Sequence, residues 1–228
     1  VSSRPACRTS PGWLAFVSTL FLACAPASAQ GPPRFELGGR IEWFGGSTLG
    51  DRPATLTPNS RSADPFVFFS TEGEQAAALG GGASLAVRLS NRVSVEGSVL
   101  VAMPGIEITI PNDVEPLPDI VAEGRLTEYL VEASVLADVL TRSNWHAFVT
   151  GGAGYLRQLH EGRAFVDEGR VYHAGGGVKY RLRSNPSGFA KGLGIRGQAR
   201  LLVRDEGFSL EGRSRAAVNL GAGIFVEF

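Results

Sequence analysis

The sequence predicts an all-β fold: an eight-stranded antiparallel transmembrane β-barrel, an up-and-down meander preceded by a cleavable signal peptide. Three observations predict it. Eight runs of nine or more residues alternate strictly between two faces, the period of an extended strand. Tight turns and long connections follow one another in alternation along the chain. The apolar face of every run is free of charge, while the opposite face is rich in it. Residues 1–29 form the expected signal peptide and 30–228 the barrel domain.

The first segment carries Arg4 and Arg8 and no acid, then an apolar run at 13–25 (WLAFVSTLFLACA) and the small-x-small site Ala27-Ser28-Ala29. That order is basic start, apolar middle and cleavage site. The run is too short for a spanning helix, which takes about 20 apolar residues. Cleavage after Ala29 starts the mature chain at Gln30. A lipoprotein reading stays open, because Phe21-Leu22-Ala23-Cys24 ends in a cysteine, although Phe and Leu fit that motif poorly. The chain opens on Val, which fits an unusual start codon or a fragment. Cys7 and Cys24 are the only cysteines. The mature chain is therefore expected to have no disulfide, no thiol nucleophile and no thiolate metal site. Without Arg4 and Arg8 the 22 basic residues fall to 20 against 22 acids, a net of −2. That balance gives no sign of a nucleic-acid partner.

The strands are expected at 35–43, 79–89, 93–101, 127–139, 145–155, 172–182, 193–203 and 216–228. Each suffices to cross an outer membrane, which takes about 9–11 tilted residues. Residues 90–92 and 141–144 are tight turns, and 184–192 is a somewhat longer one containing Asn185-Pro186 and Gly188. The connections 44–78, 102–126, 156–171 and 204–215 are long. Short turns at one end and long loops at the other are the outer-membrane pattern. The loop 44–78 holds an apolar knot, Asp64-Pro65-Phe66-Val67-Phe68-Phe69, and 102–126 holds GIEITIP at 105–111. The knot is expected to pack against the loop base or to extend the first hairpin above the membrane, with a contact patch for a partner or small ligand as the other reading, and GIEITIP to extend a strand. If both spanned the membrane, the count would rise to ten. Glycines within strands, as at 80–82, 151–152 and 175–177, fit the curvature of a narrow barrel.

Alternation alone does not separate a soluble barrel from a membrane one; the purity of the apolar face does. A Lys or Arg facing lipid at mid-bilayer costs roughly 2–4 kcal/mol. In the seventh run Leu193, Ile195, Gly197, Ala199, Leu201 and Val203 share one face, with Arg196, Gln198, Arg200 and Arg204 on the other. Aromatic residues on the apolar face fall at two levels, as the two water interfaces favour. Phe35, Trp145, Tyr180 and Phe228 lie toward the tight turns; Trp43, Tyr129, Tyr155 and Tyr172 lie toward the long loops.

The inward faces carry seven acids and seven bases. They are Glu36, Glu42, Glu96, Glu128, Glu132, Asp138 and Glu227 against Arg40, Arg88, Lys179, Arg181, Arg196, Arg200 and Arg204. An eight-stranded interior is just wide enough to be filled by side chains. Charges so confined must pair, so a closed ionic network is expected in preference to a wide conduit. The polar face also carries Leu100, Leu130, Leu136, Leu156 and Leu202. Catalysis is not expected. The histidines are His146, His160 and His173, none with a serine within two residues, and His173 is placed inward near the external rim. Glu128 and Glu132 share a face but stand about 13 Å apart along a strand, too far for paired carboxylate chemistry. Gly192-Leu193-Gly194-Ile195-Arg196-Gly197 matches a dinucleotide fingerprint by letter, but its context is a turn entering a strand. No metal or cofactor is expected.

The closing segment 219–228 (NLGAGIFVEF) puts Leu220, Ala222, Ile224, Val226 and Phe228 on one face and stops on the aromatic. It resembles the closing strand of small bacterial outer-membrane β-barrels of the OmpA transmembrane-domain and OmpX kind, a porin-like superfamily. The resemblance implies a monomer in the Gram-negative outer membrane, exported by its signal peptide. It also implies an assembly signal on those five residues, read by the barrel-insertion machinery. OmpA-like proteins append a peptidoglycan-binding domain that has no counterpart here, so no cell-wall tether carries over. The expected role is structural or surface-interacting, with membrane lipid as surroundings and the loops 44–78 and 102–126 as the place where a surface ligand would be met. A narrow porin-like channel for ions or small solutes is the alternative reading, and a barrel enzyme acting on lipid or peptide the third.

Overall fold

The computed structural model describes residues 34–56, 66–110, 120–160, 166–185, 188–207 and 214–228. The expected signal peptide, including Cys7, Cys24 and the cleavage site, lies outside them, as do Asp64, Pro65, Pro111 and Pro186. Among these residues eleven strands form: β1 Phe35–Phe44, β2 Ser47–Leu56, β3 Phe66–Gln75, β4 Ala78–Arg88, β5 Val93–Ala102, β6 Gly105–Ile110, β7 Ile120–Thr141, β8 Trp145–His160, β9 Val166–Ser184, β10 Gly192–Glu206 and β11 Arg215–Glu227. Among the described residues there is no helix. The dinucleotide-like glycines lie within β10.

Eight of these strands pair in a closed ring. Antiparallel ladders join β1 to β4, β4 to β5, β5 to β7, β7 to β8, β8 to β9, β9 to β10, β10 to β11, and β11 back to β1. Ring order follows chain order, so neighbours in space are the ring strands nearest in sequence. Closure leaves the ring itself without an edge, and so without the unpaired backbone groups that an edge exposes. Phe35 and Phe228 take part in the closing seam: the Phe228 amide donates to the Phe35 carbonyl at 2.8 Å.

The eight expected strands are those of the ring, and three more lie in the long connections, making eleven among the described residues. The additional three, β2, β3 and β6, form a sheet that continues from the loop-end part of β7, in the order β2-β3-β6-β7. Strand β6 falls on GIEITIP and β3 begins on the apolar knot, where strand extension is among the expectations, whereas β2 does not alternate and is unexpected. Strand β2 contains Pro53, tolerated because β2 is an edge strand whose outer amides need no partner. It also contains Gly50 at φ 93°, where the register with β3 shifts. Only a glycine reaches that conformation without strain. A small core of Leu49, Ile106 and Leu126, with Ile108 against it, holds this extension together.

The ring strands β7 to β10 also run further than predicted. Pairs such as Leu126 with His160, Arg157 with Glu168 and Asp205 with Arg170 carry the ladders past the aromatic level. Outward positions there are Arg157, Arg170 and Asp205, so the charge-free face that marked the strands stops while the hydrogen bonding continues.

Interior glycines permit close approach between strands. A Cβ built on Gly177 would stand 2.3 Å from the Gly197 carbonyl oxygen and 2.7 Å from Phe148 Cζ. By contrast, nothing lies within 4 Å of a Cβ on the outward Gly39. Gly177→Leu should therefore destabilise the ring by about 1–3 kcal/mol, the usual range for overpacking, while Gly39→Ala leaves it intact. The fraction of refolded protein showing heat-dependent gel mobility reads the difference. Equal fractions for both variants would contradict the packing described.

Candidate functional site

The inward face of the ring is the one concentration of chemistry in the described residues. Its layers follow from the period of two along each strand. On β7 the successive inward residues are Glu128, Leu130, Glu132 and Ser134; on β10 they are Arg204, Leu202, Arg200, Gln198 and Arg196. Acid meets base at matched depths, with leucine between.

The central layer is a web of charge. Glu42, fully buried, takes Arg200 Nη2 at 2.6 Å, Gln198 Nε2 at 2.7 Å and Arg40 Nε at 3.0 Å. Glu132 Oε2 accepts from Arg200 Nη1 at 2.9 Å, Arg40 Nη2 at 3.2 Å and the Ser98 hydroxyl at 3.2 Å. Glu96 accepts from Arg40 Nη1 at 3.1 Å and from Arg196 Nη1. Arg40 thus serves three carboxylates, and Arg200 two. Breaking a buried pair by removing one partner typically costs about 3–5 kcal/mol, because the other charge stays behind uncompensated.

Toward the turn end, Lys179 Nζ donates to both oxygens of Glu36 at 2.7 Å and stands over the Phe148 and Phe225 rings at 5.7 and 5.5 Å. Arg196 stacks on Phe148 at 4.7 Å. Glu227 is held by Arg181, through Nε at 3.0 Å and Nη2 at 2.9 Å, with Arg88 further off at 3.7 Å. Asp138, half-buried, forms no ion pair among the described residues. At the loop end, Arg204 reaches both oxygens of Glu128 at 3.2 Å. Gln75, from the end of β3, closes this layer: its Nε2 donates to Glu128 at 2.9 Å while its Oε1 accepts from Arg204 at 2.9 Å. Gln158 Nε2 donates to Glu128 at 2.6 Å.

Sequence reasoning missed two features. The first is an apolar layer of Phe44, Leu100, Ala102, Leu130, Leu156, Val171 and Leu202, all at most 4% exposed, between the Glu128–Arg204 and Glu132–Arg200 layers. Its signal was present, as leucines on the polar face, but depth was not assigned to them. The second concerns His173, which was placed at the rim and without a serine. Its Nδ1 lies 3.2 Å from Glu132 Oε1 and its Nε2 3.1 Å from Ser134 Oγ, in the central layer. Ser134 and His173 are 39 positions apart, on strands separated by β8, so proximity in sequence was the wrong search. Carboxylate, imidazole and hydroxyl in this order can activate a serine. Here Ser134 is 5% exposed, and three cavities lined by inward residues are each about 10 Å³, room for roughly one water. His173 and Ser134 share a hydrogen bond, while Glu132 stands at ion-pair distance from the imidazole ring. His160 pairs with Asp167 at 3.6 Å in the loop-end extension, and His146 lies half-buried at the turn end.

The outward face is the inverse. Leu37, Ile41, Leu79, Val99, Val131, Val135, Leu201 and Ile224 are each 50–69% exposed. Phe35, Trp43, Tyr129, Tyr155, Tyr172 and Tyr180 also face outward, all exposed, with Trp145 and Phe228 half-covered. Trp145 pairs with Tyr180 across β8 and β9. Leu220, Ala222 and Ile224 of β11 are exposed on the same face; Val226 is half-buried. Phe189, which the sequence reading passed over, packs on Phe228 with ring centroids 5.1 Å apart.

No protein-family model and no curated protein matches the chain. Among solved structures it is similar to the N-terminal β-barrel domain of Pseudomonas aeruginosa OprF, at 15% identity over 84% of this chain and 97% of that one, with a TM-score of 0.34. It is also similar to the outer membrane protein OprG of the same organism, at 11% identity over 88% and 99%, with a TM-score of 0.47.

Arg40 is the test of the web. Arg40→Met should lower unfolding stability by about 3–5 kcal/mol, whereas Arg92→Ala, on an exposed turn, should stay within about 0.5 kcal/mol of the parent. Urea titration in lipid measures both, and equal midpoints would remove the network from the account of stability.

Proposed function

We propose that the chain is an integral protein of the bacterial outer membrane, an eight-stranded transmembrane barrel with a sealed interior and a structural or surface-interacting role. The observation that carries this reading is the inversion of the ring: a continuous exposed apolar belt outside, bounded by two aromatic levels, and a paired charge web inside. A soluble protein rarely exposes an apolar patch beyond a few hundred Å², and in water this belt would drive association. In a bilayer it is the required surface.

The sealed interior argues against free passage. An ion would have to cross the apolar layer and then displace the Arg40 and Arg200 pairs. The narrow-channel reading is favoured by one observation, the charges both above and below that layer, which make it a single barrier. The extension built on β2, β3 and β6 is the surface offered to a partner outside the cell. Strand β11, with Leu220, Ala222, Ile224, Val226 and Phe228 on its lipid face, is the segment for the assembly machinery to read.

Fractionation comes first: the protein should appear in the outer-membrane fraction and change gel mobility on boiling, and recovery in the soluble periplasm would end the membrane reading. In planar bilayers the parent should be silent, while the triple variant Leu130→Ala, Leu156→Ala, Leu202→Ala should show conductance steps. Steps from the parent would favour the channel. Phe228→Ala should lower the surface yield several-fold, more than shortening the β2–β3 hairpin does; equal yields would remove β11 as the assembly signal.

A further inference from the structure

We propose that the outer surface of the turn end, between β9 and β10, binds the phosphate of an anionic phospholipid, with Arg183 as its ligand. The inference rests on the membrane-spanning reading above. Strict alternation would send Arg183 inward after Lys179 and Arg181. It does not, because the register between β9 and β10 shifts: Gly194 pairs with Arg181 and Leu193 with Arg183, so that Leu182 is skipped. Paired residues share a face, so the shift sets Arg183 beside Leu193 on the outward side. Re-aiming a side chain is a recognised use of a β-bulge.

The outcome is an unusual cation. Arg181, one step away, is bound to Glu227; Arg183 is exposed and makes no ion pair among the described residues. It borders an open groove of about 400 Å³, lined also by Asn185, Ala190, Gly192, Leu193 and Val226. No carboxylate lines this groove among the described residues. Glu227, behind Gly192, is occupied by Arg181 and Arg88.

The chemistry of the lining divides by level. Arg183 offers a planar fork of N–H donors suited to two phosphate oxygens, and the Asn185 carboxamide can add another. Leu193 and Val226, paired across β10 and β11, supply apolar surface on the belt side for the first methylenes of an acyl chain. Phe189, 89% exposed, stands at the same end as a further apolar contact. Phosphate over hydrocarbon at the edge of the belt is the layout of a phospholipid, not of a free ion. An anionic headgroup is favoured because, among the described residues, nothing acidic lines the groove to oppose it and no acceptor-rich lining is present to hold a choline.

The test uses the full chain in phosphatidylcholine nanodiscs carrying some phosphatidylglycerol, with retained lipid counted by native mass spectrometry. The parent should keep phosphatidylglycerol in preference to phosphatidylcholine. Arg183→Ala should weaken that preference about tenfold, the equivalent of one charge-assisted contact; Arg183→Lys should restore part of it. Arg142→Ala, an exposed cation of the 141–144 turn outside the groove, should change nothing. Equal retention by Arg183→Ala and parent would overturn the site, as would displacement of the lipid by inorganic phosphate alone. Heat-dependent gel mobility of every sample separates the two ideas: inserted protein without lipid preference defeats only this inference, and protein that does not insert defeats both.

Discussion

The central cluster of Arg40, Arg200, Glu42, Glu96 and Glu132 is the interaction on which the rest of the ring depends. Five charges taken out of water are affordable only when each has several partners, and here they do. Arg40 spans three strands' worth of carboxylates, on β1, β5 and β7. Arg200 joins β10 to β1 and β7. Apart from Arg40–Glu42, which lies within β1, these contacts join strands that are not neighbours in the ring. They tie together strands that the ladders leave unconnected to one another.

That arrangement has a consequence for shape. A charge web of this kind needs side chains long enough to meet at the axis, and room between strands for them to lie. The glycines opposite supply the room. A Cβ on Gly175 would stand 3.0 Å from Arg200 Cγ, and one on Gly223 would stand 2.9 Å from Arg40 Cβ. Large cations on β1 and β10 thus rest over bare backbone on their neighbours. Buried pairing contributes little net stability against apolar replacements. Removing one partner, by contrast, leaves the other's charge buried without compensation.

Much of the wall was legible in the sequence, because a two-sided environment imprints a period of two. Residues 193–203 could be assigned a face one by one. What lay beyond the belt was not legible: once Arg157, Arg170 and Asp205 take outward positions, alternation no longer distinguishes strand from loop. Strands β3 and β6 are legible only as apolar segments within long connections, and β2, which does not alternate, leaves no signal. Within the candidate site the list of inward charges was readable, but not its pairing. Glu42 and Arg200 are 158 positions apart, and only ring closure brings them together. The apolar layer was visible as misplaced leucines and was not recognised, since a one-dimensional pattern carries no depth.

The apolar layer also explains why Gln75 is where it is. Above that layer Glu128 and Arg204 form a pair cut off from the central web. Two charges with only each other would leave lone pairs and donors unmet at 2–3% exposure. Gln75, an amide able both to donate and to accept, meets one need on each partner, and Gln158 meets another on Glu128. Because Gln75 terminates β3, satisfying the buried pair anchors the loop-end sheet to the ring. The extension is therefore not a mere appendage of the ring. It is tied to the same electrostatic requirement that organises the interior, so any partner that moves β3 must first expose or re-pair Glu128 and Arg204.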